Sequence, residues 1–268
     1  MSLIAFFGAL ESGLIYGLVA LGVLISFRTL DFPDLTADGS FPLGGAVAGV
    51  SIVAGVNPWL ACAFGMLAGS VAGVVTAWLH VKLGILQLLA SILVMVALYS
   101  VNLRIMGAPN LPLLGETTVF SSLVTNDNGF WMRCLIIGAV VILAKLFLDW
   151  FYSTESGLSM RATGSNLRMA QAQGINTSWM TIIGMAISNG LIALAGALFV
   201  QTQGGADISI GIGTIVIGLA AVIIGETIIP AKRIWLITLA VIIGAVLYKL
   251  FIQVALSSDT LRSIGFGP

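Results

Sequence analysis

The sequence predicts an all-α polytopic membrane protein of about 7–8 transmembrane or re-entrant helices, built in two related halves with one polar helix at a membrane surface. Three observations predict it. The 268 residues are 59% hydrophobic and only 8% charged, with a mean hydropathy of +1.10, a balance found in multi-pass membrane proteins. Apolar stretches near the ~20 residues needed to cross a bilayer recur at about 5–27, 41–56, 58–80, 84–106, 131–151, 180–201, 208–225 and 233–256. Finally, an acid–aliphatic–hydroxyl–glycine pattern occurs twice, 173 residues apart, pairing Asp34 with Asp207, Thr36 with Ser209 and Gly45 with Gly218. One transmembrane domain is expected to cover 1–268.

The first apolar stretch begins almost at Met1 without a positive leader or a small-residue cleavage site, so it reads as a retained span. Glu11 lies in its outer third. A carboxylate there should face a wet interior, pair with a donor, or reach headgroup water. The next segment, 28–49, carries Asp31, Asp34, Thr36, Asp38 and Ser40 among Pro33, Pro42 and four glycines. Regular helix is not expected to persist through it, and it should line a cavity or an inner mouth. In the third span Gly65, Gly69, Gly73 and Ala77 form a ladder of small residues for close helix packing.

The fourth span and its exit hold Gln87, Ser91, Tyr99, Ser100, Asn102 and Arg104. Ser91, Tyr99 and Asn102 fall on one broad face, which at that depth should look into the bundle. A loop over 107–129, with Pro109, Pro112, Glu116 and Asp127, should be external. The stretch 155–178 is one of two long polar segments. It reads as a single short helix with Gly157 near its start, Gly174 at its stop, and Arg161 and Arg168 seven apart on one face. Too polar to cross, it belongs at a membrane surface, and its arginines favour the cytoplasmic side. Beyond it, Asn189, Gln201 and Gln203 offer amides for a ligand or a neighbouring helix. The segments 41–56 and 208–225 are short and glycine-rich, so each is a candidate re-entrant helix.

If every segment crosses, Arg28, Lys82, Lys145, Arg161, Arg168, Lys232 and Arg233 fall inside and Arg104, Arg133, Lys249 and Arg262 outside, with both termini outside. Zero net charge gives no attraction to nucleic acid. Cys62 and Cys134 read as small packing residues, and His80, the sole histidine, makes neither a metal site nor a Ser-His-Asp set. No GxxxxGK[ST] run is present to cradle nucleotide phosphates.

The run Gly157-x3-Arg161-Ala162-x-Gly164-x-Asn166-x3-Ala170-x3-Gly174-Ile175 resembles the cytoplasmic coupling segment of ABC importer permeases of the branched-chain amino acid and ribose type. The blocks LDFPDLTADGSF and YSVNLRIMGAPN resemble bacterial tryptophan/tyrosine-type permeases of that family. The resemblance implies a permease subunit in the bacterial cytoplasmic (inner) membrane. Its implied partners are a second copy of the chain, an ATP-binding cassette ATPase dimer, an extracytoplasmic solute-binding protein and lipid. ATP and magnesium would sit on the ATPase, with no cofactor or metal on this chain and catalysis left to the partner. It further implies ATPase coupling through Gly157, Arg161, Gly164, Asn166 and Gly174. For the solute pathway the polar residues suggest Glu11, Thr36, Asp38, Ser40, Tyr99, Asn102 and Asn189, with Glu11 and Asn102 as the pair for an amino-acid zwitterion. Two other readings remain open from the residues: an ion-coupled secondary transporter titrating Glu11 or Asp38 without an ATPase, and a non-transporting scaffold.

Overall fold

A computed structural model describes residues 3–121, 129–230 and 233–257; Asp127, Lys232 and Arg262 lie outside them. The helices end where the sequence punctuates them. Asn57 caps α3 (Pro58–Leu83) by accepting from the Trp59 N–H with Pro58 in the first turn, and Gly84 closes it in a left-handed conformation. Gly107 and Gly204 close α4 (Gln87–Met106) and α8 (Thr177–Gln203) in the same way. The remaining long helices are α1 (Leu3–Val23), α5 (Gly129–Ser153), α9 (Thr214–Ile228) and α10 (Ile234–Ser257). Seven helical segments are long and apolar enough to cross a membrane, and α2 (Ala37–Val53) is a shorter eighth. This is a multi-pass membrane protein.

Two ends of the bundle can be told apart. At one, α1 finishes in a π-helical turn, Leu24–Thr29, beside α6 (Glu155–Ser165) and α7 (Leu167–Ala172). At the other, β1 (Asn110–Pro112) pairs antiparallel with β2 (Gly205–Asp207), and Gly49 of α2 lies against Leu111 and Ala206. The segment 208–228 starts at this sheet and ends with Glu226 bonded to Arg28 at the opposite end, so it crosses rather than re-enters. Its first part is a 3-10 turn, Ile208–Gly211, followed by α9.

The duplication is visible in the packing. α3 lies on α8 as α10 lies on α1, and α2 contacts α8 and α3 as α9 contacts α1 and α10. Since α1 runs toward the α6–α7 end and α8 away from it, the units α1–α3 and α8–α10 form an inverted repeat. The paired aspartates repeat a local bond as well: Asp34 Oδ1 accepts the Thr36 N–H at 2.9 Å and Asp207 Oδ1 the Ser209 N–H at 2.7 Å. At the exposed second site the Ser209 hydroxyl and N–H hold the Asp207 carboxyl below its usual range.

Helix does persist through Pro42, contrary to the sequence expectation. Pro42 removes the N–H that would meet the Asp38 carbonyl, and that carbonyl lies against Gly211, where a side chain would not fit. The glycine ladder of α3 packs as expected, on Gly44 at Gly65, on Ala193 at Gly69 and on Met185 at Gly73. On α2 itself a Cβ at Gly44 would overlap the Ala193 carbonyl, with backbone on both sides and no room to relax. Gly44→Val is therefore expected to abolish recovery of a monodisperse protein on size exclusion. Gly138→Ala, which meets only Leu14 at 3.9 Å, should behave as wild type.

Candidate functional site

The polar stretch after α5 folds into two short helices rather than the one the sequence suggests. Asn166 breaks it: its backbone is extended, and its side chain leaves α6 to accept the Met169 N–H that opens α7. Arg161 and Arg168 thus stand on separate helices, both exposed, and do not share a continuous face. Gly174, with φ +81, ends α7 as expected.

One side of this pair faces the bundle with almost no clearance. Gly157 lies on the backbone of Phe151 and Tyr152, and a Cβ at Gly164 would overlap the Thr29 carbonyl. Met160, Thr163 and Ala170 are buried beneath. Leu158, Leu167, Arg168 and Met169 are exposed, whereas Arg161, four residues after Gly157 and three before Gly164, shares the bundle-facing side and stands at the rim of a cavity there.

Gly164 presses on the π-helical turn that ends α1. There the Thr29 hydroxyl donates to the Leu24 carbonyl at 3.1 Å and shares a 2.9 Å hydrogen bond with the Tyr152 phenol of α5. Asp31 follows with φ +52, the one non-glycine among the described residues held at positive φ. Arg28 bonds Glu226 of α9 at 2.9 Å. The pair is largely exposed and contributes little stability, about 0–1 kcal/mol, but it ties α1 to α9. Between these groups lies a cavity of about 420 Å³ lined by Arg28, Asp31, Arg161, Ser165, Glu226 and Thr238. Five helices, α1, α5, α6, α9 and α10, thus meet at one joint.

The pathway candidates divide. Thr36, Ser40 and Asn189 are fully buried in one network: Asn189 Nδ2 donates to Asp34 Oδ2 at 2.7 Å, Ser40 donates to Asn189 Oδ1 at 2.7 Å, and Thr36 and Thr76 hydroxyls bond at 2.9 Å. These groups satisfy one another and hold α2 to α3 and α8. Asn102 is buried too, donating to the Gly39 carbonyl at 3.2 Å, with Oδ1 unpartnered among the described residues. Tyr99, by contrast, is 55% exposed and points away from Ser91 and Asn102, both at 0%. Tyr99 and Asn102 are three positions apart, but Tyr99 lies on the outer flank of that face and the bundle interior admits only its centre. Glu11 lies by Arg133 and Cys134 of α5, so it does not meet Asn102, and the structure does not assemble that pair as a zwitterion site.

Asp38 is half-buried and caps α9, accepting from Gly213 N–H at 3.2 Å and Ile215 N–H at 2.8 Å. The N-terminal ends of α2 and α9, the paired helices of the repeat, therefore meet inside the bundle. Sequence reasoning missed Tyr16 and Lys249, whose ammonium stands 3.8 Å over the Tyr16 ring; a lysine fifteen residues into an apolar helix was the available signal. Cys62 and Cys134 are buried free thiols, and Cys62 Sγ accepts from Gln201 Nε2 at 3.0 Å. His80 bonds the Ile85 carbonyl at 2.7 Å and packs on Phe32. No group of three metal-ligating side chains occurs among the described residues.

Comparison with known proteins adds four findings. Residues 5–264 match the family model described as branched-chain amino acid transport system, permease component. The chain is 40% identical over 254 residues to the tyrosine transport system permease protein of Clostridioides difficile (strain R20291), covering 95% of this chain and 84% of that one. It is 37% identical over 220 residues to protein RP368 of Rickettsia prowazekii (strain Madrid E), covering 82% and 76%. Among solved structures it superposes on an ABC transporter assigned to the metal-chelate type, in an inward-facing conformation, with a TM-score of 0.52 at 16% identity over 94% of this chain and 77% of that one. At that identity the likeness concerns the fold.

Proposed function

This chain belongs to the branched-chain amino acid transport permease family and is the permease component of an ABC transporter, and from that premise we propose how it works. Two copies enclose the solute pathway, a separate ATPase dimer carrying ATP and magnesium docks on α6 and α7, and an extracytoplasmic binding protein delivers the solute. The chain supplies no nucleotide chemistry of its own. The observation that carries this reading is the two-sided helix pair: exposed Leu158, Leu167, Arg168 and Met169 outside, Gly164 seated on the end of α1 inside, and Arg161 exposed at the rim of the cavity between them. Closure of the ATPase dimer would move α6. The contact with Thr29, and through Arg28 with Glu226, would carry that movement into α1 and α9, where the two halves meet. Coupling is assigned to Gly157, Arg161, Gly164, Asn166 and Gly174. Of the pathway set, Asp38 is retained with Glu11, while Thr36, Ser40, Asn102 and Asn189 position α2. The solute is an amino acid, and the tyrosine permease relative favours an aromatic one.

Arg161→Glu tests the docking half. Arg161 is exposed and its replacement removes no packing, so the protein should fold and reach the membrane as wild type. ATP-dependent uptake in proteoliposomes is expected to fall at least tenfold. Uptake at the wild-type rate would remove Arg161 from the interface.

A further inference from the structure

Lys249 lies within α10 in a membrane-spanning segment, and no carboxylate pairs with it among the described residues. Its ammonium rests on the face of Tyr16 of α1. Tyr16 is itself the hub of a cluster. Its ring stacks on Phe41 at 5.8 Å and meets Phe199 edge-on at 6.2 Å, and its phenol lies beside Thr214, Asp38 and Tyr248. Thr214 Oγ1, fully buried at the first turn of α9, faces that phenol. Five elements, α1, α2, α8, α9 and α10, therefore bring to one place a cation without a carboxylate partner among the described residues, a half-buried carboxylate, aromatic rings and a buried hydroxyl. They do so where the two halves of the repeat touch.

A structural role does not use these groups up. A lysine needed only to seal the α1–α10 contact has no reason to be charged, since Gly13 and Gly17 already let Val246 and Ile242 close on α1. A ring face is a weak partner for a desolvated ammonium compared with a carboxylate. Asp38, although it caps α9 through two backbone N–H groups, remains half-exposed with lone pairs to spare. Opposite charges flanking an aromatic wall have the complement of an α-amino acid.

We propose that this cluster holds the amino-acid solute of the reading above during transport, its carboxylate taken by Lys249 and its ammonium by Asp38, with Tyr16 between them. The assignment rests on the permease reading above and deepens it. It replaces the Glu11 and Asn102 pair with residues that the fold brings together.

The experiment is ATP-driven uptake into proteoliposomes holding the complete transporter, with L-tyrosine, L-leucine, tyramine and ribose as probes. Wild type is expected to carry an amino acid and to discriminate against tyramine, which lacks the carboxylate, and against ribose by at least tenfold. Lys249→Met should cut amino-acid uptake at least tenfold, and Lys249→Arg should restore part of it, while both variants elute with the ATPase on size exclusion. The proposal is overturned by wild-type uptake of tyramine or ribose equal to that of the amino acids, by uptake of neither amino acid, or by an unaffected Lys249→Met. Failure of the permease reading looks different: no ATPase would co-elute with the wild-type chain.

Discussion

Gly164→Leu is expected to reduce ATP-driven uptake at least tenfold in a protein that still folds and still binds its ATPase. Like Gly44, this glycine has backbone on both sides of the contact. A Cβ at Gly164 would overlap the Thr29 carbonyl, and the next nearest atoms are the Thr29 carbonyl carbon and Leu30 Cα. Overpacking of this kind costs about 1–3 kcal/mol, and at the edge of the bundle it is relieved by displacing α6 rather than by unfolding. The docking strip of Leu158, Leu167 and Met169 faces outward and survives the change. What is lost is the contact on the π-helical turn, an element frequent at functional sites. Uptake and ATPase co-elution, measured on the same sample, separate the two effects. Loss of both together would mean that α6 has no transmitting role apart from docking.

Asn189→Ala should be the most damaging polar substitution inside the bundle, lowering stability by about 3 kcal/mol. Asn189 gives its amide N–H to Asp34 Oδ2 and takes the Ser40 hydroxyl, so truncation strands one oxygen of a fully buried carboxyl, whose other oxygen keeps the Thr36 N–H, and a buried hydroxyl at once. The coupling can be isolated. In an Asp34→Ala background the same truncation should cost about 1 kcal/mol, because the stranded charge is already gone. Denaturation midpoints in detergent for the four proteins measure this cycle, and additive losses would show that the network does not act as a unit.

The sequence made plain those features that depend on backbone clearance and punctuation. The α3 glycine ladder, Gly174 at the end of α7 and the Asp34 and Asp207 pair all appear where expected, because glycine and short polar side chains have few structural uses. The direction in which a span faces was much less legible. Lipid and bundle interior are both apolar, so hydrophobic periodicity marks neither face, and Tyr99 was placed inside beside Asn102 when it points out. Polarity alone also did not separate a binding group from a structural one. Thr36, Ser40 and Asn189 spend their hydrogen bonds on each other, whereas Lys249 and Asp38 keep capacity to spare, and only their neighbours make that difference. The break at Asn166 was hidden because asparagine can end one helix and cap the next with the same residue.

Docking of the α6–α7 strip on an ATPase is the centre of the account, and a thiol cross-link tests it most directly. The two native cysteines are buried, so Leu167→Cys supplies the one accessible thiol among the described residues. The account predicts a cross-linked product in native membranes whose second component is a P-loop ATPase, diminished when Arg161→Glu is added. A chain that gives no such product and moves its solute alone in liposomes on an ion gradient would contradict it.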